Sequence, residues 1–208
     1  MDAPVEDPFA VTTPDALEAL YDAPSLQVRS KVGTRIGPAT RAFIAASPYC
    51  LLATIGTEGL HVTPRGDAPG FVVVADDHTL ILPDRRGNNR LDALRDILRD
   101  PRVSLLLLVP GMTETLRVHG RARITTDPAL RAAHAAQGKE PATLLVIAVE
   151  SLFMQCGKAA IRSRLWEGRS RAPGVPTLGA LIAEHSAGAS DAAVVDAGIP
   201  ESYRTRLY

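Results

Sequence analysis

The most regular pattern in this chain is an alternation of apolar and polar residues over positions 114–126. The small or apolar set is Leu116, Val118, Gly120, Ala122 and Ile124. The set between them is polar and mostly basic: Thr115, Arg117, His119, Arg121 and Arg123. A period of two puts successive side chains on opposite faces of a strand. The pattern predicts a long β-strand with one buried face and one basic face that meets water or another subunit.

Shorter apolar runs, each bounded by turn residues, predict further strands. They lie at 49–55, 60–63, 71–75, 79–82, 103–109 and 143–149. Residues 56–59 and 76–78 have the composition of hairpin turns. The strands are therefore expected to pair as antiparallel neighbours.

Helical spacing is clearest over 88–99, where Leu91, Leu94 and Ile97 recur every three residues. Shorter helices are predicted after Thr13, and at 25–31, 37–46, 127–136, 153–165 and 177–185. The strands are too many and too closely linked for a parallel, doubly wound sheet. The order of elements predicts a mainly β fold, a small antiparallel barrel carrying peripheral helices.

The chain divides by composition into three predicted segments. Residues 1–48 are a helical extension, 49–166 the barrel, and 167–208 a linker and helical tail. The linker is marked by a run rich in Arg, Gly and Pro at 168–176.

Charge and composition exclude several classes of function. The 23 basic and 23 acidic residues balance, and a single Trp offers no stacking platform, so no nucleic-acid partner is expected. Apolar runs are too short to span a bilayer and the acidic N-terminus has no signal pattern, so a cytoplasmic protein without membrane contact is expected. The two cysteines and five histidines lack ligand spacing, so no metal site is expected.

Two arginine-rich loops carry the candidate chemistry. The first runs from Thr63 to Phe71 and contains Arg65, and the second runs from Leu82 to Leu91 and contains Arg85, Arg86 and Arg90. The second loop leads into a predicted helix, whose free N–H groups and dipole favour an anion such as a terminal phosphate. The alternative is a solvated basic turn in which Asn88 merely caps the helix, and spacing alone does not separate the two.

The chain resembles the pyridoxamine 5'-phosphate oxidase-like FMN-binding proteins, in particular a bacterial branch of FMN-dependent enzymes of unknown substrate. The resemblance rests on motifs in a fixed order: PRGD at 64–67, TLILPDR at 79–85, GNNRL at 87–91, DPRV at 100–103, ETLRVHGRA at 114–122, CGKAAIRSRLW at 156–166 and the closing YRTRLY.

The resemblance implies a six-stranded antiparallel split β-barrel that forms a homodimer, with FMN at the subunit interface. It assigns the phosphate to Arg65, Asn88, Asn89 and Arg90, with Arg85 reaching phosphate or ribityl. It assigns the edge of the isoalloxazine ring to the backbone of Leu82 and Pro83, and further flavin contacts to Glu114, Thr115 and Trp166, with Glu114 and Thr115 supplied by the second subunit. The Arg-x-His motif of the true oxidases is absent after Trp166.

These features favour an FMN-dependent oxidoreductase acting on an unidentified small molecule, with no catalytic side chain assigned. Two alternatives stay open. One is a non-catalytic flavin carrier or sensor. The other is a related barrel that binds a deazaflavin or haem. For haem, His61 or His119 is the candidate axial ligand.

Overall fold

The computed structural model describes residues 7–168 and 170–206, and the side chain of Arg206 is not among them. The chain forms two compact units, Met1–Val32 and Gly33–Tyr208. The predicted division at 48 and 166 stays a prediction.

The first unit contains two short helices, α1 (Pro14–Glu18) and α2 (Leu26–Arg29). Each begins as predicted, because a hydroxyl accepts a hydrogen bond from the first turn: Thr13 Oγ1 from Ala16 N at 3.2 Å, and Ser25 Oγ from Val28 N at 3.4 Å. All its described residues are exposed, so neither helix is stabilised by burial within this unit.

An antiparallel sheet dominates the second unit. Its strands are β1 (Val32–Gly33), β2 (Tyr49–Gly56), β3 (Gly59–Gly66), β4 (Val73–Asp76), β5 (Thr79–Pro83), β6 (Arg102–Leu108), β7 (Thr115–Thr125) and β8 (Leu144–Gln155). Seven strands follow the order β3-β2-β6-β7-β8-β5-β4, and the two-residue β1 is the eighth. The mainly β, antiparallel class predicted from the sequence is confirmed.

The expected six-stranded split barrel is correct in its antiparallel pairing and wrong in its strand number, since the sheet has eight strands and is not a closed barrel. In the part of the chain that the structure describes, the only strand that pairs with β3 is β2, and the only strand that pairs with β4 is β5. β4 has four residues and its register with β5 shifts between Val74 and Asp76. Closure needs a continuous ladder between the first and last strands, and no such ladder joins these two edges.

The long strand β7 has the two faces that its alternation predicts. Leu116 and Val118 are buried, whereas His119 and Arg121 are exposed. Gly120 lies so close to β8 that a Cβ there would be 2.2 Å from the carbonyl oxygen of Ala148. A side chain at position 120 is therefore incompatible with the β7–β8 pairing.

β8 continues beyond its predicted end. A strand over 143–149 and a helix over 153–165 were expected, but β8 extends to Gln155 and the helix is the shorter α6 (Lys158–Ser163). After a bulge opposite His119 and Gly120, residues 151–155 of β8 pair with residues 115–119 of β7. Backbone pairing with a distant strand here overrides the local helical spacing.

Besides α6, the described part of the second unit contains five helices. They are α3 (Pro38–Ala46), α4 (Asp92–Arg99), α5 (Pro128–Ala133), α7 (Leu178–His185) and α8 (Ala192–Arg206). Helix α8 was not predicted from the sequence, because Gly198 and Pro200 inside it are poor helix formers. It packs on α7, and Gly179 N donates a hydrogen bond to Asp196 Oδ1 at 2.8 Å.

One apolar core lies among the strands, α3 and α4. Its fully buried large side chains include Ile36, Ile44, Leu52, Leu80, Leu82, Leu105, Leu107, Leu116 and Ile147. Cys50 belongs to this core, and burial raises the pKa of its thiol to about 12 although the charge of Arg65 opposes the shift. Among the described residues, no helix is both long and apolar enough to cross a membrane.

Candidate functional site

A cavity of about 820 Å³ opens between β3, the end of β5 and the start of α4. The loop from Asp84 to Leu91 and residues 139–142 complete its lining. The volume is within the range of small-molecule and cofactor sites. Apolar side chains line part of it, among them Phe71, Pro83 and Leu94.

One face of β3 supplies three of the lining side chains, His61, Thr63 and Arg65. They are two residues apart and so project from the same face of the strand. At a rise of about 3.3 Å per residue, the backbone positions of His61 and Arg65 are roughly 13 Å apart.

Arg65 is held by a carboxylate that follows β5. Its Nη1 donates to Asp84 Oδ1 at 2.6 Å, and the two side chains are 21% and 16% exposed. Its Nε is buried and has no hydrogen-bond partner in the described structure. Arg65 therefore keeps one unsatisfied donor in the cavity wall.

Arg85 is held more completely. Its Nε donates to Asp67 Oδ2 at 2.5 Å and its Nη1 to the carbonyl oxygen of His134 at 2.8 Å. Asp67 Oδ1 also accepts from Ala68 N at 2.7 Å. This pair ties the loop after β3 to the loop after β5.

The loop before α4 corrects the predicted helix start. Asn89 and Leu91 have φ of 59° and 61°, a left-handed conformation that an α-helix excludes. The helix therefore begins at Asp92 rather than at residue 88, and Leu91 occupies the cap position without a side-chain hydrogen bond. The alternative role of Asn88 as helix cap is wrong, since its Oδ1 accepts from Arg90 N at 3.1 Å.

The first turn of α4 faces the cavity with free donors. The first intrahelical bond is Arg95 N to Leu91 O, at 2.9 Å. Within the described structure the N–H groups of Asp92, Ala93 and Leu94 make no hydrogen bond, and all three residues line the cavity. Such a helix start favours a bound anion.

Two arginines near this turn are exposed. Arg90 Nε donates to Asp92 Oδ2 at 2.7 Å, and this hydrogen bond is the main reason that the pKa of the Asp92 carboxyl is lowered. Arg86 has no ion-pair or hydrogen-bond partner in the described part of the chain. Both line the cavity and can turn toward an anion.

A histidine–aspartate pair beside the cavity was not predicted from the sequence. His61 Nδ1 lies 3.2 Å from Asp96 Oδ2, and the Thr54 hydroxyl donates to that oxygen at 2.7 Å. Asp96 is a buried carboxylate on the inner face of α4. The feature of the sequence that points toward this cluster is the β2–β3 hairpin, whose register places Thr54 opposite His61.

The structure brings together six of the ten predicted ligand residues. Those lining the cavity are Arg65, Pro83, Arg85, Asn88, Asn89 and Arg90. The side chain of Leu82 is buried in the core, and its predicted backbone contact with the flavin stays a prediction.

The other three lie around the turn between β6 and β7, here called the turn patch (Met112, Thr113, Glu114, Thr115, Trp166). Trp166 Nε1 donates to Met112 O at 2.5 Å, and Thr113 Oγ1 donates to Glu114 Oε2 at 3.1 Å. None of these residues lines the cavity of the same chain, as far as its described residues show. The described residues also contain no group of three or more potential metal ligands.

A family model for pyridoxamine 5'-phosphate oxidase matches residues 36–156, which is more than half of the chain. The chain therefore belongs to the pyridoxamine 5'-phosphate oxidase family, and the resemblance drawn from its motifs is confirmed. No curated protein matches it.

Several solved structures are similar to part of this chain. HupZ of Group A Streptococcus is 21% identical with a TM-score of 0.47, covering 57% of this chain and 93% of that one. General stress protein 26 of Bacillus anthracis is 18% identical with a TM-score of 0.42, covering 54% and 88%. An FAD-binding protein of Mesorhizobium loti is 18% identical with a TM-score of 0.40, covering 60% and 99%. At these identities the similarities assign no ligand to this chain.

Proposed function

We propose that this protein is an FMN-dependent oxidoreductase that acts on a small molecule and works as a homodimer. The observation that carries the proposal is the cavity, which gathers six residues predicted from the family motifs beside an uncapped helix start. Family membership supports the same cofactor class.

The cavity residues fit FMN. The free N–H groups of α4 and the guanidinium groups of Arg90 and Arg65 would hold the phosphate, because each offers a donor or a positive charge. Phe71 and Pro83 would cover part of the flat ring system. Bound FMN would supply hydride and electron transfer, and the protein would bind and orient it.

A second copy of the chain would complete the site. The turn patch, with Glu114, Thr115 and Trp166, would reach the flavin from the partner subunit, which accounts for its absence from the cavity of its own chain. The edge strand β3 exposes 84% of Leu60 and 58% of Val62, apolar surface that a second subunit would bury.

The first experiment is the visible absorption spectrum of the purified protein, followed by identification of any chromophore released by heat. We expect flavin bands and free FMN from the wild-type protein. Arg65→Gln should lose FMN affinity by more than about tenfold, because it removes a charged donor. Arg102→Gln is the matched control, since Arg102 pairs with Asp100 outside the cavity. A wild-type protein that stays colourless with added FMN, or that shows a Soret band, would contradict the cofactor.

The shared site has a separate test. Arg65→Gln damages the cavity and Trp166→Ala damages the turn patch, so each homodimer should bind FMN poorly. In a heterodimer of the two variants, one of the two sites is intact. Unfolding and refolding an equal mixture should restore about a quarter of wild-type occupancy. No restoration, or a monomer by sedimentation, would contradict the shared site.

Catalysis is tested on the FMN-loaded protein. We expect turnover of a reduced nicotinamide with oxygen or a quinone as acceptor, and Arg65→Gln should lower it in proportion to flavin content. A loaded protein that turns over no electron donor in such a screen would instead be a flavin carrier.

A further inference from the structure

Among the described residues, His61 is the histidine that lines the cavity, and a buried carboxylate fixes its orientation. A carboxylate only accepts hydrogen bonds, so the His61 nitrogen facing Asp96, Nδ1, carries hydrogen. Its Nε2 has no partner in the described structure. His61 is 35% exposed and Asp96 only 9%, so the ring is accessible while its anchor is not. Nε2 is thus the atom left for a molecule in the cavity.

His61 lies on the α4 side of the cavity. Asp96 is one turn from Asp92, the first residue of the helix. The pKa of Asp92 is lowered first by Arg90 and, to a smaller extent, by the charge of His61. The ring is therefore close to the free N–H groups proposed to hold the FMN phosphate.

We infer that His61 is a further phosphate-binding residue: its protonated Nε2 donates to a phosphate oxygen of FMN, and Asp96 is its positioning residue. This inference rests on the proposed function, since it requires FMN in the cavity. Protonated His61 also offsets the buried charge of Asp96, so the phosphate meets a neutral pair rather than an anion.

The affinity for the phosphate then depends on pH. The charged groups that face His61 from α4 are Asp96 and Asp92, and Asp92 is offset by Arg90. Across the hairpin, β2 contributes the neutral Thr54. When His61 loses its Nε2 proton, a lone pair replaces the donor and Asp96 is left without an opposing charge. Binding of the phosphate is therefore weaker to neutral than to protonated His61.

The test compares FMN with riboflavin, which lacks the phosphate, by flavin fluorescence at pH 6 and pH 8. Wild-type protein is compared with His61→Gln, and His78→Gln is the matched control because His78 lies in the β4–β5 turn outside the cavity. The phosphate itself titrates near pH 6, but equally for both proteins, so the ratio of their affinities isolates His61. We expect wild-type to bind FMN about tenfold tighter than His61→Gln at pH 6 and about twofold or less at pH 8. Riboflavin affinity should be the same for both proteins.

Asp96→Asn provides a second variant, which should lose FMN affinity at pH 6 while its riboflavin affinity and its far-ultraviolet circular dichroism stay unchanged. An affinity ratio that is the same at both pH values, or an equal loss of riboflavin binding, overturns the role of His61. In either case FMN binding by the wild-type protein leaves the proposed function intact. A wild-type protein that binds neither flavin overturns the proposed function and this inference with it.

Discussion

On the β5 side of the cavity the arginine–aspartate pairs are largely buried, whereas on the α4 side the corresponding pair is exposed. The side chains of Arg85 and Asp67 are 19% and 5% exposed, against 74% and 32% for Arg90 and Asp92. Both pairs have short contacts, so distance does not distinguish them. The two pairs differ in solvent access: if the pair separated, water would hydrate the charges of Arg90 and Asp92 but not those of Arg85 and Asp67.

Because of this difference in burial, we expect one pair to stabilise the fold and the other to take part in ligand binding. Breaking a buried pair leaves a charge that neither water nor protein satisfies, so such a pair holds the fold together. An exposed pair contributes little to stability and separates easily, so its arginine can exchange a carboxylate for the phosphate of a ligand. We therefore expect the pair on the β5 side to maintain the structure of the cavity and the pair on the α4 side to bind the ligand.

The largest effect is expected on the β5 side. Asp67→Ala leaves Arg85 partly buried without its carboxylate and removes the bridge between two loops. The free energy of unfolding should fall by about 2–4 kcal/mol. Urea denaturation of the apoprotein measures it.

Asp92→Ala is the matched control for that variant. It breaks an arginine–aspartate pair of similar length in the exposed setting, so its change in unfolding free energy should be much smaller than that of Asp67→Ala. Equal losses in Asp67→Ala and Asp92→Ala would show that burial does not separate the two sides of the cavity.

The next effect is on binding alone. Arg90→Gln removes a mobile charge beside the free N–H groups of α4. FMN affinity should fall about five- to tenfold, with riboflavin affinity and the melting temperature unchanged. A lower melting temperature with unchanged FMN affinity would show that Arg90 stabilises the fold rather than binding the ligand.

A smaller effect in the opposite direction is expected from Asp92→Asn. This change frees Arg90 and removes a negative charge from the phosphate end of the cavity. FMN affinity should rise about two- to threefold at low salt, and the gain should shrink at high salt because exposed charges are screened. Titration of the flavin at two ionic strengths measures it, and a loss of affinity would mean that Asp92 itself contacts the ligand.

Much of this site could be predicted from the sequence, because local pattern and chain order determine it. The turn residues at 56–59 fix the hairpin that carries Arg65, and the loop after β5 carries Arg85, Asn88 and Arg90 to the same cavity. The basic alternation of β7 likewise follows from its period of two.

The rest depends on contacts between distant residues. The left-handed conformations of Asn89 and Leu91 delay the start of α4, although the leucine spacing continues back to Leu91. The ladder between β7 and β8 extends a strand through residues with helical spacing. The pair of His61 and Asp96 joins residues 35 apart in sequence, and neither belongs to a local motif.

The smallest expected effect concerns acid and stability on the α4 side. The pKa of Asp92 is lowered in the folded protein, first by the hydrogen bond from Arg90. A carboxyl with a depressed folded pKa contributes stability above its unfolded pKa, and that contribution is lost as pH falls through the folded value. The difference in unfolding free energy between wild-type and Asp92→Asn should therefore be small and constant above about pH 5, and should close below about pH 4. Urea denaturation from pH 3 to pH 8 measures it. A difference that stays constant from pH 5 down to pH 3 would contradict the lowered pKa of Asp92, because only a carboxyl whose folded and unfolded pKa values differ changes stability with pH.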